Sequence, residues 1–178
     1  GGNVDVLSQR VVDVLMGFPG IVLALALMSV LGPSVNNVII ALTFLLVPTA
    51  ARTMRSSVLG LREVTYIEAA RALGCSNWRI ILMHLAPNVL GTYIVLFTVN
   101  VAYAIVVEAS LSFLGLGVPP DEPSWGGMIT GAIQSLERAP WIAAFPGGAI
   151  CLMVFGLNLL GDAIRDITDV KLRGGGEE

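Results

Sequence analysis

The sequence predicts an all-α membrane protein with about four transmembrane helices and a helical cytoplasmic loop between two of them. Three observations lead there. Hydrophobic residues make up 55% of the 178 and charged residues only 13%, against about 25% charged in soluble domains. The mean hydropathy is +0.81, too high for helices that each turn a polar face to water. The apolar stretches are continuous rather than alternating. Lipid admits only helices or closed barrels, and continuity excludes the barrel.

A helix needs about 20 apolar residues to cross a bilayer. The first run covers 11–31, with Asp13 near its start and Pro19 inside it. That proline predicts a kink, or the point where the firm part begins. Gly32-Pro33-Ser34-Val35-Asn36-Asn37 is turn chemistry and predicts a tight hairpin to the second run, 36–54. The third run is 80–107 and the fourth 141–161. Four crossings put Gly1, Glu178 and the loop 55–79 on one side, and the loop 108–140 on the other. Nine of the ten Lys and Arg residues fall on the first side; Arg138 alone falls on the second. The positive-inside rule makes the first side cytoplasmic. Trp125 and Trp141 suit an aromatic belt on the outer side.

Several chemistries are excluded. Cys75 and Cys151 form no CxxC pair and His84 is the only histidine, so a zinc or haem site has no ligand set. His84 reads as a structural residue at the membrane edge. An intramembrane protease needs a nucleophile facing a base, and His84 has no convincing serine partner. No GxxxxGK[ST] occurs, so this chain is not expected to hydrolyse ATP. The Gly115-x-Gly117-x-Pro119-Pro120 stretch reads as a re-entrant or capping loop. Only scattered membrane-flanking arginines are basic, so no nucleic-acid footprint exists.

Polar residues inside the runs are few. Thr92, Thr98, Asn100 and Tyr103 on the third run are candidates for a polar translocation path; helical spacing puts Thr92 with Tyr103 and sets Asn100 to one side. Asn100 and Asn158 also suit hydrogen bonds between helices. Glu108 closes the third run, either at the outer interface or as a gate position.

The loop 55–79 is the informative segment. Thr65 and Glu68 fit a capping box. Gly74 stands where a left-handed residue ends a helix, and Ser76 or Asn77 can cap the next. Val64, Ile67, Ala70 and Leu73 recur at helical spacing. Pattern alone leaves two readings: a connector lying on lipid headgroups, or a helix offered to a partner's groove.

The spelling Glu68-Ala69-Ala70, three residues, Gly74, nine residues, His84-Leu85-Ala86-Pro87 resembles the EAA motif of ABC importer permeases. His84 and Ala86 stand where Ile and Leu are usual. The stretch from Tyr66 to Gly74 is similar to the dipeptide/oligopeptide/nickel branch. So are Glu108-Ala109-Ser110-Leu111-Ser112-Phe113-Leu114-Gly115-Leu116-Gly117, then Pro123-Ser124-Trp125-Gly126, and Asn158-Leu159-Leu160-Gly161-Asp162 with Arg165, Asp166 and Asp169. Together they resemble its C-type permease over nearly the whole chain.

That resemblance implies a type I ABC importer transmembrane domain. It implies that Glu68, Ala69, Ala70, Arg71, Leu73, Gly74 and Pro87 couple to a separate ATPase subunit. ATP would be bound there, with no cofactor in this chain. It implies a B-type permease as heterodimer partner, an external substrate-binding protein, and a bacterial or archaeal cytoplasmic membrane. The cargo would be di- or oligopeptides; the alternatives are a nickel or metal-chelate importer, or a membrane scaffold without transport. Family members have six spans, so the chain, opening on Gly1 rather than Met, reads as one lacking its first two helices.

Overall fold

The computed structural model describes residues 2–173. Gly1 and Glu178, the ends assigned to the cytoplasm, lie outside the described residues, as do the side chains of Asp169, Lys171 and Arg173. The described chain is helical throughout: α1 (Asn3–Met16), α2 (Gly20–Leu31), α3 (Val35–Arg62), α4 (Thr65–Ala72), α5 (Asn77–Phe113), α6 (Trp125–Ala132) and α7 (Trp141–Arg173).

The first expected span is two helices, not one kinked helix. Pro19 is the N-cap of α2 and Gly17 ends α1, and the two axes meet at 88°. Pro19 has no N–H to continue a helical ladder, and Gly17 and Gly20 flank it. The chain therefore turns a corner. Among the described residues three helices, α3, α5 and α7, are long and apolar enough to cross a membrane; the bent pair α1–α2 makes a fourth only if counted as one span.

The α2–α3 hairpin forms as expected. Gly32 takes φ +82°. The Asn37 side chain donates to the carbonyls of Leu31 and Gly32 at 2.9 and 3.0 Å, satisfying acceptors that the end of α2 leaves open. Ala24 and Met28 of α2, Val38 and Ala41 of α3, and Val107 and Leu111 of α5 form the main buried cluster. Small residues in this set let the helices approach closely, as lipid-embedded helices require.

Two loops are shorter than the apolar runs suggested. α3 continues through charged residues to Arg62, so much of 55–79 is helix. α5 continues past 107 to Phe113, so Glu108 sits inside the helix rather than closing it. The outer segment 108–140 also holds α6 and a 3-10 turn, Ile133–Ser135. α6 packs between α5 and α7.

Within α5, Ile80–Leu85 is a π turn, directly before Pro87. Proline offers no N–H to the carbonyl of Met83 and crowds it. The wider turn lets the Ala86 N–H bond Ile81 instead, so the helix passes Pro87 unbroken.

The surface is apolar. Little of the apolar part of α7 is buried, and Phe145, Leu152 and Phe155 are 76, 73 and 62% exposed. Such a helix has lipid or other membrane helices as its solvent.

Candidate coupling site

The corner between α4 and α5 is built locally. α4 ends in a Schellman motif: the Gly74 N–H bonds the Arg71 carbonyl at 2.9 Å and the Cys75 N–H bonds that of Ala70 at 3.1 Å. Gly74 sits at φ +76°, the left-handed region that favours glycine. Ser76 then caps α5, its hydroxyl accepting from the Arg79 N–H at 3.4 Å. The start of α4 differs from the sequence reading. Val64, not Thr65, is its N-cap, and no side-chain bond caps it. Thr65 is already helical, so the capping box with Glu68 does not form.

Beneath the corner lies a small core of its own. Ile67 and Ala70 of α4 pack with Ile80 of α5, and Cys75 and Leu85 close around them. The Cys75 contact with Ala70 is the apolar pair that accompanies a Schellman turn. On the other flank the Asn88 amide donates to the Tyr66 hydroxyl at 3.2 Å and to the His84 carbonyl at 2.6 Å. The Tyr66 and His84 rings lie 6.2 Å apart. His84 thus packs against α4.

The face opposite this seat is open. Glu68, Ala69, Arg71 and Pro87 are exposed, and Leu73 is 85% exposed. Of the expected coupling residues only Ala70 is buried, at 7%; it belongs to the seat. Ala86 is exposed, so alanine in place of leucine opens no internal cavity. Sequence reasoning missed Tyr66, Asn88, Ile80 and Leu85 as the corner's supports. Only Ile67 and Ala70 had announced themselves, by helical spacing.

The path candidates separate. Asn100 and Tyr103 line one cavity of about 260 Å³, framed by the α1–α2 elbow and by Leu45, Pro48 and Thr49 of α3. Thr92 is half-buried and does not border it. Eight residues of helix put Thr92 about 12 Å from Asn100 along α5, so Thr92 keeps its place on the Tyr103 face without bordering this cavity.

Glu108 belongs to a node at the outer end. The Ser112 hydroxyl donates to the Glu108 carboxylate at 2.7 Å and accepts from the Val118 N–H at 3.2 Å. The Thr130 hydroxyl donates to the carbonyls of Ser112 and Gly126 at 3.3 and 3.1 Å. A Cβ on Gly126 would stand 2.5 Å from the Ala109 carbonyl oxygen, so α6 rests backbone to backbone on α5. A second Schellman motif ends α5, with Gly115 at φ +78° and the Leu116 N–H on the Leu111 carbonyl at 2.9 Å. No spacing or motif signals that Ser112 joins these parts.

Long apolar helices whose outer faces are left exposed describe a multi-pass membrane protein. Residues 1–174 match the family described as the binding-protein-dependent transport system inner membrane component, and the chain belongs to it. Over 170 residues it is 45% identical to the glutathione transport system permease protein GsiD of Escherichia coli O1:K1, covering 96% of this chain and 56% of that one. It is 46% identical over 169 residues to a protein of Brucella suis biovar 1 named as a peptide transport system permease, covering 95% and 57%. The chain therefore spans about half the length of the curated relatives it matches.

Proposed function

We propose that this chain forms part of the membrane channel of an ATP-binding cassette importer for di- or oligopeptides. In this reading the α4–α5 corner docks in a cleft of an ATPase subunit, and Glu68, Ala69, Arg71, Leu73 and Gly74 make or shape the contact. A B-type permease is the membrane partner and an external binding protein delivers cargo. Asn100 and Tyr103 border the peptide path, and Glu108 stands near its outer mouth. The chain sits in the cytoplasmic membrane of a bacterium or archaeon, with its ends and the corner inside.

The observation that carries this reading is the corner itself. Its inner face is seated on Ile67, Ala70 and Ile80 while its outer face, with Leu73 85% exposed, has no cover. A rigid, presented helix end suits transmission of force, whereas a slack connector would absorb it. The basic residues gathered at this end, Arg52, Arg55, Arg62, Arg71 and Arg79, support its cytoplasmic placement. The printed names of the relatives, glutathione and peptide permeases, support the cargo class.

The test is cysteine cross-linking in membranes of the assembled system. Leu73→Cys and Ala69→Cys, both exposed, are expected to cross-link to the ATPase subunit, and Ile67→Cys, fully buried, is not. Equal absence of cross-links at all three positions would sink the coupling role.

A further inference from the structure

Helix α1 buries none of its residues, yet it packs against α3. Its apolar contact there is partial: Val12 and Leu15 are half-buried, while Val4, Leu7 and Val14 are 81, 69 and 66% exposed. Two ion pairs do span the gap. Arg55 grips Asp5 as a fork, its Nε and Nη2 each donating to one carboxylate oxygen at 2.9 Å. Arg52 pairs with Asp13. The planar guanidinium suits the two-point grip, which an ammonium cannot reproduce.

The placement of the pairs matters more than their strength. Asp5 and Asp13 lie about 12 Å apart along α1, on either side of its middle. Arg52 and Arg55 are neighbours on one face of α3, where that helix leaves its apolar part. Seven residues beyond Arg55, α3 ends at Arg62, and α4 begins at Thr65. Because α1 leaves α2 at 88°, it meets α3 as a cross-brace rather than as a parallel neighbour.

We propose that Asp5 and Asp13 are positioning residues: through Arg55 and Arg52 they brace the stalk of α3 and so fix where the Gly74 corner stands. This rests on the coupling role proposed above. The brace turns a helix that would otherwise swing about Pro48, inside α3, into a strut.

The experiment uses the assembled transporter in membranes, with the Leu73→Cys cross-link to the ATPase as readout and chain abundance measured alongside. Asp5→Arg and Arg55→Asp are each expected to lower the yield about two- to fivefold. Combining them restores the pair with its charges exchanged and is expected to recover the yield. Arg55→Lys keeps the charge but loses the fork, so an intermediate yield is expected; it also serves if a reversed charge keeps the chain out of the membrane. Full yield in the single variants overturns the brace, as does failure of the exchanged pair to recover. No cross-link even with Asp5 and Arg55 intact sinks the coupling role instead, and the brace falls with it.

Discussion

Substituting Gly74 isolates the conformational demand of the corner from any demand for space. A Cβ built there meets nothing within 4 Å, so the whole effect comes from φ +76°. An L-residue in that region costs about 1–2 kcal/mol, a factor of about 5–30 in the balance between the bent corner and a straightened one. A β-branched side chain adds to this, while asparagine tolerates the region best among non-glycine residues. The expected order of damage is therefore Gly74→Asn least, Gly74→Ala next, Gly74→Val most. Cross-linking of Leu73→Cys to the ATPase and substrate-dependent ATP hydrolysis in proteoliposomes should fall in that order. Thermal stability of the purified chain should change little, because the corner's own core involves Ile67, Ala70 and Ile80 rather than Gly74. If Gly74→Val couples as well as Gly74→Asn, the corner does not need its left-handed residue and the reasoning fails.

Two further outcomes follow from the outer node and the brace. Ser112→Ala removes the acceptor of the Val118 N–H and the donor to Glu108; the expected loss is about 1–3 kcal/mol, read as a lower unfolding midpoint in detergent and faster labelling of a Val118→Cys probe. The Arg55 hydrogen bonds hold the Asp5 carboxyl below its ordinary value. A lowered folded value means the pair contributes fully above the ordinary carboxylate range and is lost only as pH falls through the folded value. Spin-label distances between α1 and Arg62 should therefore stay constant as pH falls through the ordinary carboxylate range and lengthen only below it.

What the sequence made legible was local. Gly74, Ser76 and the Gly32–Pro33 turn announce themselves because a left-handed residue, a cap and a turn each need a particular residue at one position. Apolarity alone underestimates the lengths of α3 and α5. Charged residues end a hydrophobic run without ending a helix, and Arg52, Arg55 and Arg62 all lie within α3. Pro19 is visible in the sequence, but whether it kinks or breaks depends on the packing of α2 on α3, where a Cβ on Gly20 would strike the Leu45 side chain. The supports of the site were hidden for a different reason. Asn88 meets Tyr66 and Arg55 meets Asp5 across separations of 22 and 50 residues, and periodicity within one helix carries no information about such pairs. The EAA-like spelling takes in Ala70 and Leu85 of the seat as well as the outer face. It leaves unmarked Ile67 and Ile80, which complete that seat.

The same distinction between conformation and space runs the other way at Gly161. Its φ is ordinary, but a Cβ there would stand 2.5 Å from the Thr98 hydroxyl oxygen and 3.4 Å from the Thr98 Cβ. Thr98 is 4% exposed, and its hydroxyl donates to the Val95 carbonyl of its own helix at 2.9 Å. That hydroxyl is therefore fixed where α5 and α7 come closest. Gly161→Ala is expected to cost about 1–3 kcal/mol by overpacking. Thr98→Ala should cost less, because the Val95 carbonyl lies within a helix and keeps its backbone ladder. Combined, the two should be more stable than Gly161→Ala alone, because the methyl gained on α7 occupies the place of the atoms lost from α5. Gly161→Ala with Thr98→Val should recover nothing, since valine refills that place without a hydroxyl. Unfolding midpoints in detergent across this set give the coupling directly; a value within the about 0.3–0.5 kcal/mol of simple additivity would mean that the helices relax apart at this point, and that the glycine is not what sets their distance.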